Sequence, residues 1–515
     1  MTQNSMRMKA FDRVVPPPDP RIEAPLRTAL ARSAQRRFSR LLARWRPLAR
    51  SRTASLRHLA RAALTGPPPA AAEFLAGPDF RTWLASAEDA VALALAARAA
   101  STARKRAGTA AARGEEGTPA PWIRLMEVAF ASGELARLAP KQTLPADFPA
   151  RCMTRAVERL DTLADEFPLV AVPFLPAGAR GTWVVPWTEE VAEGRPAGEL
   201  RMTGARFLRR KRTSRGLRIE VRGAALRVSD SGRPDRGEWM PRPLLSPRGV
   251  PVASPVLSCA RSLTVLPRDP GFASRVEVAL SLLQRAWPAA AALVLSRTRI
   301  VVPMVEPGMV SFSSARRPGA SWINIRSRPA VRLAEDLLHE AVHMRLHDLE
   351  EVAPLVRSRQ GAGRDGEEPV FYSPWRREWR PLRGILHACC TFVAGALLFE
   401  ALLAASEGAS PCVRLPEARR DWLARRLAEE LGDVAHGLRS LGVARESGLL
   451  APAGARLARA VATQRRCLLP AARRRRRILA TSARGRAELR CLREHEADVA
   501  GWTVRWRWTV PDDEQ

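Results

Sequence analysis

Apolar residues recur every three or four positions from about Arg27 to Ala112, a spacing that predicts helices. Pro67-Pro-Pro69 and Gly77-Pro78 divide the stretch, since proline removes a backbone donor and glycine loosens the chain. A Gly/Thr/Pro-rich link at 114–121 precedes further helical patterns over Trp122–Leu138 and Pro149–Glu166. Between Leu169 and Leu266 the texture changes to short β-type runs, Gly181–Val185, Leu217–Arg222 and a strand running into a turn at Arg227–Gly232. These predict a small antiparallel sheet with a basic edge. From Asp269 a third texture begins: a helix over Phe272–Trp287, a strand over Arg299–Pro303, the run Val310–Ser314, a Pro318-Gly319 turn and a strand over Ala320–Arg326. An amphipathic helix starts at Val331. A strand placed just before such a helix offers, on this reading, an exposed edge near 320–326 for an extended peptide. The segment Gln360–Glu368 reads as a mobile loop, and the remainder as mostly helical to Trp508, with no internal repeat.

The pattern therefore predicts a mostly helical α+β chain in three regions: helical 1–168, β-rich 169–268, and 269–515, in which a zincin-like helix packs on a short sheet ahead of a helical C-terminal part.

The helix from Val331 carries His339-Glu340-Ala-Val-His343. Two histidines four apart share one helix face, so both imidazoles can reach one metal ion, and the glutamate between them can serve as a base toward metal-bound water. The chain has only seven histidines, so a chance match to this motif has odds of roughly one in a hundred or less.

Composition changes this picture little. At 515 residues and 46% apolar content the chain can bury a sizeable core. A net charge of +32 raises nucleic acid or an anionic membrane as partners. Nearly all of that charge is arginine, lysine occurring only at 9, 105, 141 and 211, and usage so even along the chain reads as coding bias as much as a basic surface. No specific nucleic-acid partner is expected, and the runs Arg209–Arg212 and Arg473–Arg477 read as solvated faces. Seven cysteines without a Cys-x-x-Cys pair form neither a disulfide framework nor a zinc ribbon, which points to a reducing cytoplasm. The N-terminus lacks the apolar core of a secretion signal. The longest apolar stretch, Gly384–Ala405, contains His387 and Glu400 and is expected to be a buried core helix rather than a membrane span.

Two histidines need a third ligand. His347 lies on the same face but about 12 Å along the axis from His339, too far for all three motif-helix histidines to bind one ion. Leu346 and Leu349 stand where a metzincin has glycine and histidine, which excludes that class. His387 remains, as does the Glu494-His495-Glu-Ala-Asp498 segment, whose Glu and Asp resemble the second helix of gluzincin peptidases.

Beyond the five-residue motif, the run Ser311-Phe-Ser-Ser314 with its Pro-Gly turn, Ser373-Pro-Trp375-Arg376, Arg380-Pro-Leu-Arg-Gly-Ile-Leu-His387 with Phe392, and the stretch Glu494–Trp502 resemble the HExxH-motif peptide-modification proteins. The segment Pro78-Asp-Phe-Arg-Thr-Trp83 is similar to that family's front half, and the resemblance is most specific over about 270–400. It implies iron(II)- and 2-oxoglutarate-dependent β-hydroxylation of a ribosomally made precursor peptide. His339, His343 and His387 would then bind iron, and Glu340 would handle protons beside it. Arg380 or Arg376 would meet the far carboxylate of 2-oxoglutarate, for which a guanidinium fork is suited. Two other readings stand beside this one: a zinc-dependent gluzincin-type metallopeptidase with Glu340 as base, and a non-enzymatic adaptor that binds peptide or nucleic acid through its basic surface.

Overall fold

The computed structural model describes residues 13–15, 20–45, 75–110, 147–171, 270–298, 300–305, 308–316, 318–324, 329–357, 369–373, 375–376, 378–407, 412–500 and 506–507. It also describes helical residues at 124–126 and 128–129 and the backbone of short strands between 180 and 241. The loop expected at 360–368 lies outside the described residues. The chain is a mostly helical α+β protein. It divides into two compact units, one of Arg27–Leu263 with Arg316–Gly319, the other of Met1–Leu26, Thr264–Ala315 and Ala320–Gln515.

The unit from Arg27 draws on helices α1 (Pro20–Trp45), α2 (Pro78–Ala110) and α3 (Phe148–Ala171). Helix α2 begins at the proline that the pattern marked as a boundary, because proline suits the first helical turn, where no intrahelical donor is required. Its first turns place Phe80 and Trp83 against Phe38, with ring centroids 5.3 and 5.8 Å away. All three rings are buried, and the Trp83 indole N–H donates to the Leu163 carbonyl at 2.8 Å, which satisfies the ring's one polar atom. Beyond α3 the strands β1 (Arg180–Val185), β2 (Arg201–Met202), β3 (Ala205–Arg206), β4 (Leu217–Arg222), β5 (Ala225–Asp230) and β6 (Trp239–Pro241) follow. They form an antiparallel sheet in the order β1-β4-β5-β6 and a separate two-residue pair, β2-β3. The side chains of this sheet, and with them its expected basic edge, lie outside the described residues.

The second unit holds helices α4 (Pro270–Ala286) and α5 (Pro288–Arg297), then strands β7 (Ile300–Met304), β8 (Ser311–Ser313) and β9 (Ala320–Asn324). Helix α6 (Ala330–Val352) follows, then β10 (Val370–Ser373), β11 (Glu378–Pro381), α7 (Leu382–Ala405), α8 (Glu417–Glu446), α9 (Pro452–Leu479), α10 (Ala483–Ala500) and β12 (Trp506–Arg507). The stretch expected to be helical to Trp508 thus ends in a strand, and β12 pairs with β10 in a small sheet of order β11-β10-β12.

Helix α7 is the hub of this unit. It packs against α4, α6, α8 and α9, and most of its side chains are buried. It is long and apolar enough to cross a membrane by length and composition. Within the fold its faces are covered by other helices, and its one acidic residue, Glu400, pairs with Arg474 and Arg475 of α9.

Helix α6 rests on β8 and β9 and is held from behind by an ion pair in which the buried Arg345 reaches the half-buried Glu23 of α1 at 3.2 Å. One expectation is corrected here. Strand β9 is not an edge. It pairs in parallel with β7 on one side and antiparallel with β8 on the other, so both rows of its backbone groups are used. The sheet runs β7-β9-β8, and β8, which pairs with no second strand among the described residues, borders the metal-motif helix. The sequence order hid this, because β8 lies between β7 and β9 in the chain but at the outer side of β9 in the sheet.

The segment after α6 approaches the start of α9 backbone to backbone: Ala451 N–H donates to Leu355 O at 3.0 Å, and Arg357 N–H to Leu449 O at 2.9 Å. A Cβ at Gly454 would overlap the Leu355 carbonyl oxygen, and neither main chain can move without breaking these bonds. Gly454→Ala is expected to destabilise the protein by about 1–3 kcal/mol, seen as a lower urea midpoint at unchanged slope.

Candidate metal centre

Helical geometry sets the first row of the site. His339, His343, His347 and Glu350 stand at spacings of four, four and three along α6 and so share one stripe, which faces the N-terminal part of α7. His339 Nε2 lies 3.1 Å from His343 Nε2. On its other side, His343 Nδ1 lies 3.2 Å from His387 Nδ1, supplied by α7. His387 Nε2 lies 3.1 Å from Glu350 Oε1. His347 completes the row, its ring centroid 5.2 Å from that of His387. Two ligand atoms on one tetrahedral ion with bonds near 2 Å sit roughly 3.3 Å apart. Each atom pair has that spacing, but His343 and His387 each take part through both ring nitrogens, so the contacts form a row along α6 and α7, and a single ion would engage one nitrogen of each ring.

His347, Glu350 and His387 each offer a ligand atom within 4.8 Å of the others, and this group could hold a metal ion. His347 remains two turns along α6 from His339, too far for both to ligate one ion, and α7 carries His387 between the two ends of the stripe. Glu350 was missed, although its spacing from His347 was a visible signal.

The electrostatics suit metal ligation. Burial, with the nearby Arg376 charge, lowers His339 to about 4. His343 is held well below the usual histidine range by burial and by the surrounding imidazoles and Arg380. Burial lowers His387 too, against the pull of Glu350. Neutral imidazoles keep lone pairs free for a cation. Burial opposes the charge on Glu350, yet hydrogen bonds from His347, His387 and Arg383 outweigh it and hold this carboxylate ionised.

Glu340 points to the other side, toward β8. Its Oε1 accepts from the Ser311 hydroxyl at 2.5 Å, while its Oε2 is buried without a hydrogen-bond partner among the described residues. Burial pushes this carboxyl up to about 7, despite the Ser311 and Ser313 hydroxyls that favour its charged form. A buried acceptor left without a donor beside the two motif histidines is an arrangement in which a bound water or substrate group can complete the network.

Aromatic residues flank the motif histidines. Phe392 meets His339 edge-on with centroids 5.9 Å apart, and Trp375 stacks on Phe392 at 5.1 Å. Arg376 is exposed in the turn beside Trp375, and Arg380 on β11 donates to Glu378 at 2.7 Å. Both guanidinium charges act on the motif histidines. Ser311, Trp375, Arg376, Arg380, His387 and Phe392 come from separate segments, and the fold gathers them around His339 and His343. The C-terminal alternative is not gathered. Glu494 is exposed on α10, which packs chiefly on α8 and α9, and His495 bonds Asp433 at 2.9 Å.

No protein-family model matches the chain, and no curated protein is similar to it at a significant level.

Glu350→Gln is expected to weaken metal binding about 10- to 100-fold, because a carboxylate bonded to a ligating imidazole sets its tautomer and basicity. Competition with a coloured chelator measures it. Unchanged affinity would remove both Glu350 and its partner His387 from the metal site.

Proposed function

We propose that this chain is an iron(II)- and 2-oxoglutarate-dependent hydroxylase of a ribosomally made peptide. The reading rests on one observation above the others: three central segments of the family resemblance, those of Ser311, Trp375 and His387 with Phe392, distant in the chain, meet at the helix of His339, Glu340 and His343 and bring a third buried imidazole, His387. Three neutral imidazoles are a donor set suited to a divalent transition metal. His339, His343 and His387 would hold the metal, the His343 ring turning so that one of its nitrogens serves the ion, with Glu350 fixing the His387 ring through Nε2 and leaving Nδ1, which faces His343, as its donor. Iron(II) with 2-oxoglutarate and O2 supplies the oxidising power for hydroxylation at carbon, 2-oxoglutarate leaving as succinate and CO2.

The chain's own residues do the rest. Arg376 has no carboxylate partner among the described residues and suits the far carboxylate of the co-substrate, whereas Arg380 is already engaged by Glu378. Trp375 and Phe392 exclude water from the histidine face. An extended peptide would align on β8, whose outer edge pairs with no strand among the described residues and whose Ser311 touches Glu340. Glu340, balanced between its two protonation states near neutrality, would exchange protons with groups bound beside it.

Anaerobic loading with iron(II), then addition of O2, 2-oxoglutarate and synthetic peptides translated from short reading frames that neighbour the gene, should yield succinate and a peptide heavier by one oxygen atom. A peptide left unmodified, with no succinate above background, would sink the reading. One observation favours a second: a buried glutamate raised to about 7, with one oxygen lacking a donor, also suits a base that deprotonates zinc-bound water in a hydrolase. The exposed position of Glu494 weighs against its gluzincin form. Zinc-dependent cleavage of the same peptide, without succinate, would establish that alternative.

A further inference from the structure

A cavity of about 740 Å³ opens in the same unit, away from the metal-binding row. It reaches α7 at Leu397, ten residues beyond His387 (397 − 387), about 15 Å along the helix axis. One wall is a single stripe of α9. Arg456, Arg459, Thr463, Gln464 and Cys467 recur at three- and four-residue steps and so face one way, while Leu457, Val461 and Leu468 point into the core. Trp287, at the junction of α4 and α5, and the N-terminal segment with Arg13 and Val15 also line the cavity.

The lining is chemically one-sided. It holds three guanidinium groups and no aspartate or glutamate. Arg13 and Arg459 form no ion pair with a carboxylate among the described residues, in a unit where many other arginines are paired with acids. Trp287, Val15 and Leu397 supply apolar surface beside the charges. Gln464 Oε1, buried in the wall, has no hydrogen-bond donor among the described residues. The volume is that of a small-molecule pocket, for which apolar walls with a few convergent polar groups are usual.

We infer that this cavity binds an amphipathic organic anion, a carboxylate or phosphate joined to an apolar or aromatic body, independently of the metal centre. The arginines would take the anionic head through paired N–H donors, Trp287 and its apolar neighbours the body, and Gln464 Oε1 a hydroxyl or amide hydrogen of the ligand.

Cys467 in the wall reports occupancy. It is an exposed free thiol, as are Cys412 and Cys491, whereas Cys389 and Cys390 are buried. The full-length protein is labelled with N-ethylmaleimide and each cysteine is followed by peptide mass spectrometry, with phenyl phosphate as the probe. At ten times its dissociation constant the probe leaves roughly a tenth of the sites open and should slow labelling of Cys467 about tenfold, with Cys412 and Cys491 unchanged. Arg459→Gln should weaken that protection about 10- to 100-fold. Arg13→Gln, in a segment outside the helices, should do the same and serves if Arg459→Gln exposes Cys389 and Cys390 to labelling through unfolding. Three results would each overturn the inference: no protection by phenyl phosphate, equal protection by phenol, or protection that survives both substitutions.

Discussion

Replacing His343 by alanine is expected to strip the protein of bound metal. His343 stands between the other two imidazoles, with one ring nitrogen 3.1 Å from His339 and the other 3.2 Å from His387. Its loss opens the middle of the row, so the remaining donors no longer meet at ligand spacing. Affinity for iron, zinc or cobalt should fall by more than about 100-fold, the upper end of what outer-sphere changes alone produce. His339→Ala should behave alike. Metal content by mass spectrometry after gel filtration, with chelator competition for the constants, reads the effect. His387→Ala is the more diagnostic variant. Retention of full metal content there, alongside loss in the two motif variants, would place the third ligand elsewhere and remove α7 from the centre. A wild-type protein that takes up none of the three metals while well folded would end the catalytic readings altogether.

The second large effect concerns Glu340 and needs no assumption about activity. Its carboxyl titrates at about 7 in the folded protein against an ordinary value of 4.5, chiefly because it is buried. The folded state therefore keeps a proton that the unfolded chain releases between those two values. Where the folded state binds more protons, stability falls as pH rises. The metal-free protein should lose stability through Glu340 from about pH 4.5 to pH 7, by about 3 kcal/mol in total. His339, lowered to about 4, gives a slope of opposite sign between about 4 and 6.5, so the wild-type curve alone is ambiguous. Its difference from Glu340→Gln is not. Glutamine keeps an acceptor for Ser311 and carries no charge to bury. The variant should match the wild type below pH 4.5 and exceed it by about 3 kcal/mol above pH 7 in urea titrations across this range. A constant difference across the range would show that Glu340 is not held in a water-excluded position.

The helices were legible because their signal is local. An apolar stripe at three- and four-residue spacing needs only its own segment, and so the starts of α2 and α4 and the stretch that became α7 were readable within a few residues. The convergence of His339 and His343 was equally local, since four residues make just over one turn. The order of the second sheet was not. Strand pairing joins residues far apart in the chain, and nothing in the residues of β8 announces that it lies beside β9 and leaves β9 in the middle.

By itself, then, the sequence determined a mostly helical chain with two imidazoles and a carboxylate on one helix, because helix geometry converts spacing directly into direction. Only the tertiary structure decided what they meet. The packing of α7 on α6 brought His387 between His343 and Glu350, and the position of β8 set Ser311 against Glu340. The same enclosure lowered His339 and raised Glu340, because the cost of burying a charge depends on everything around it and on no single stretch of chain.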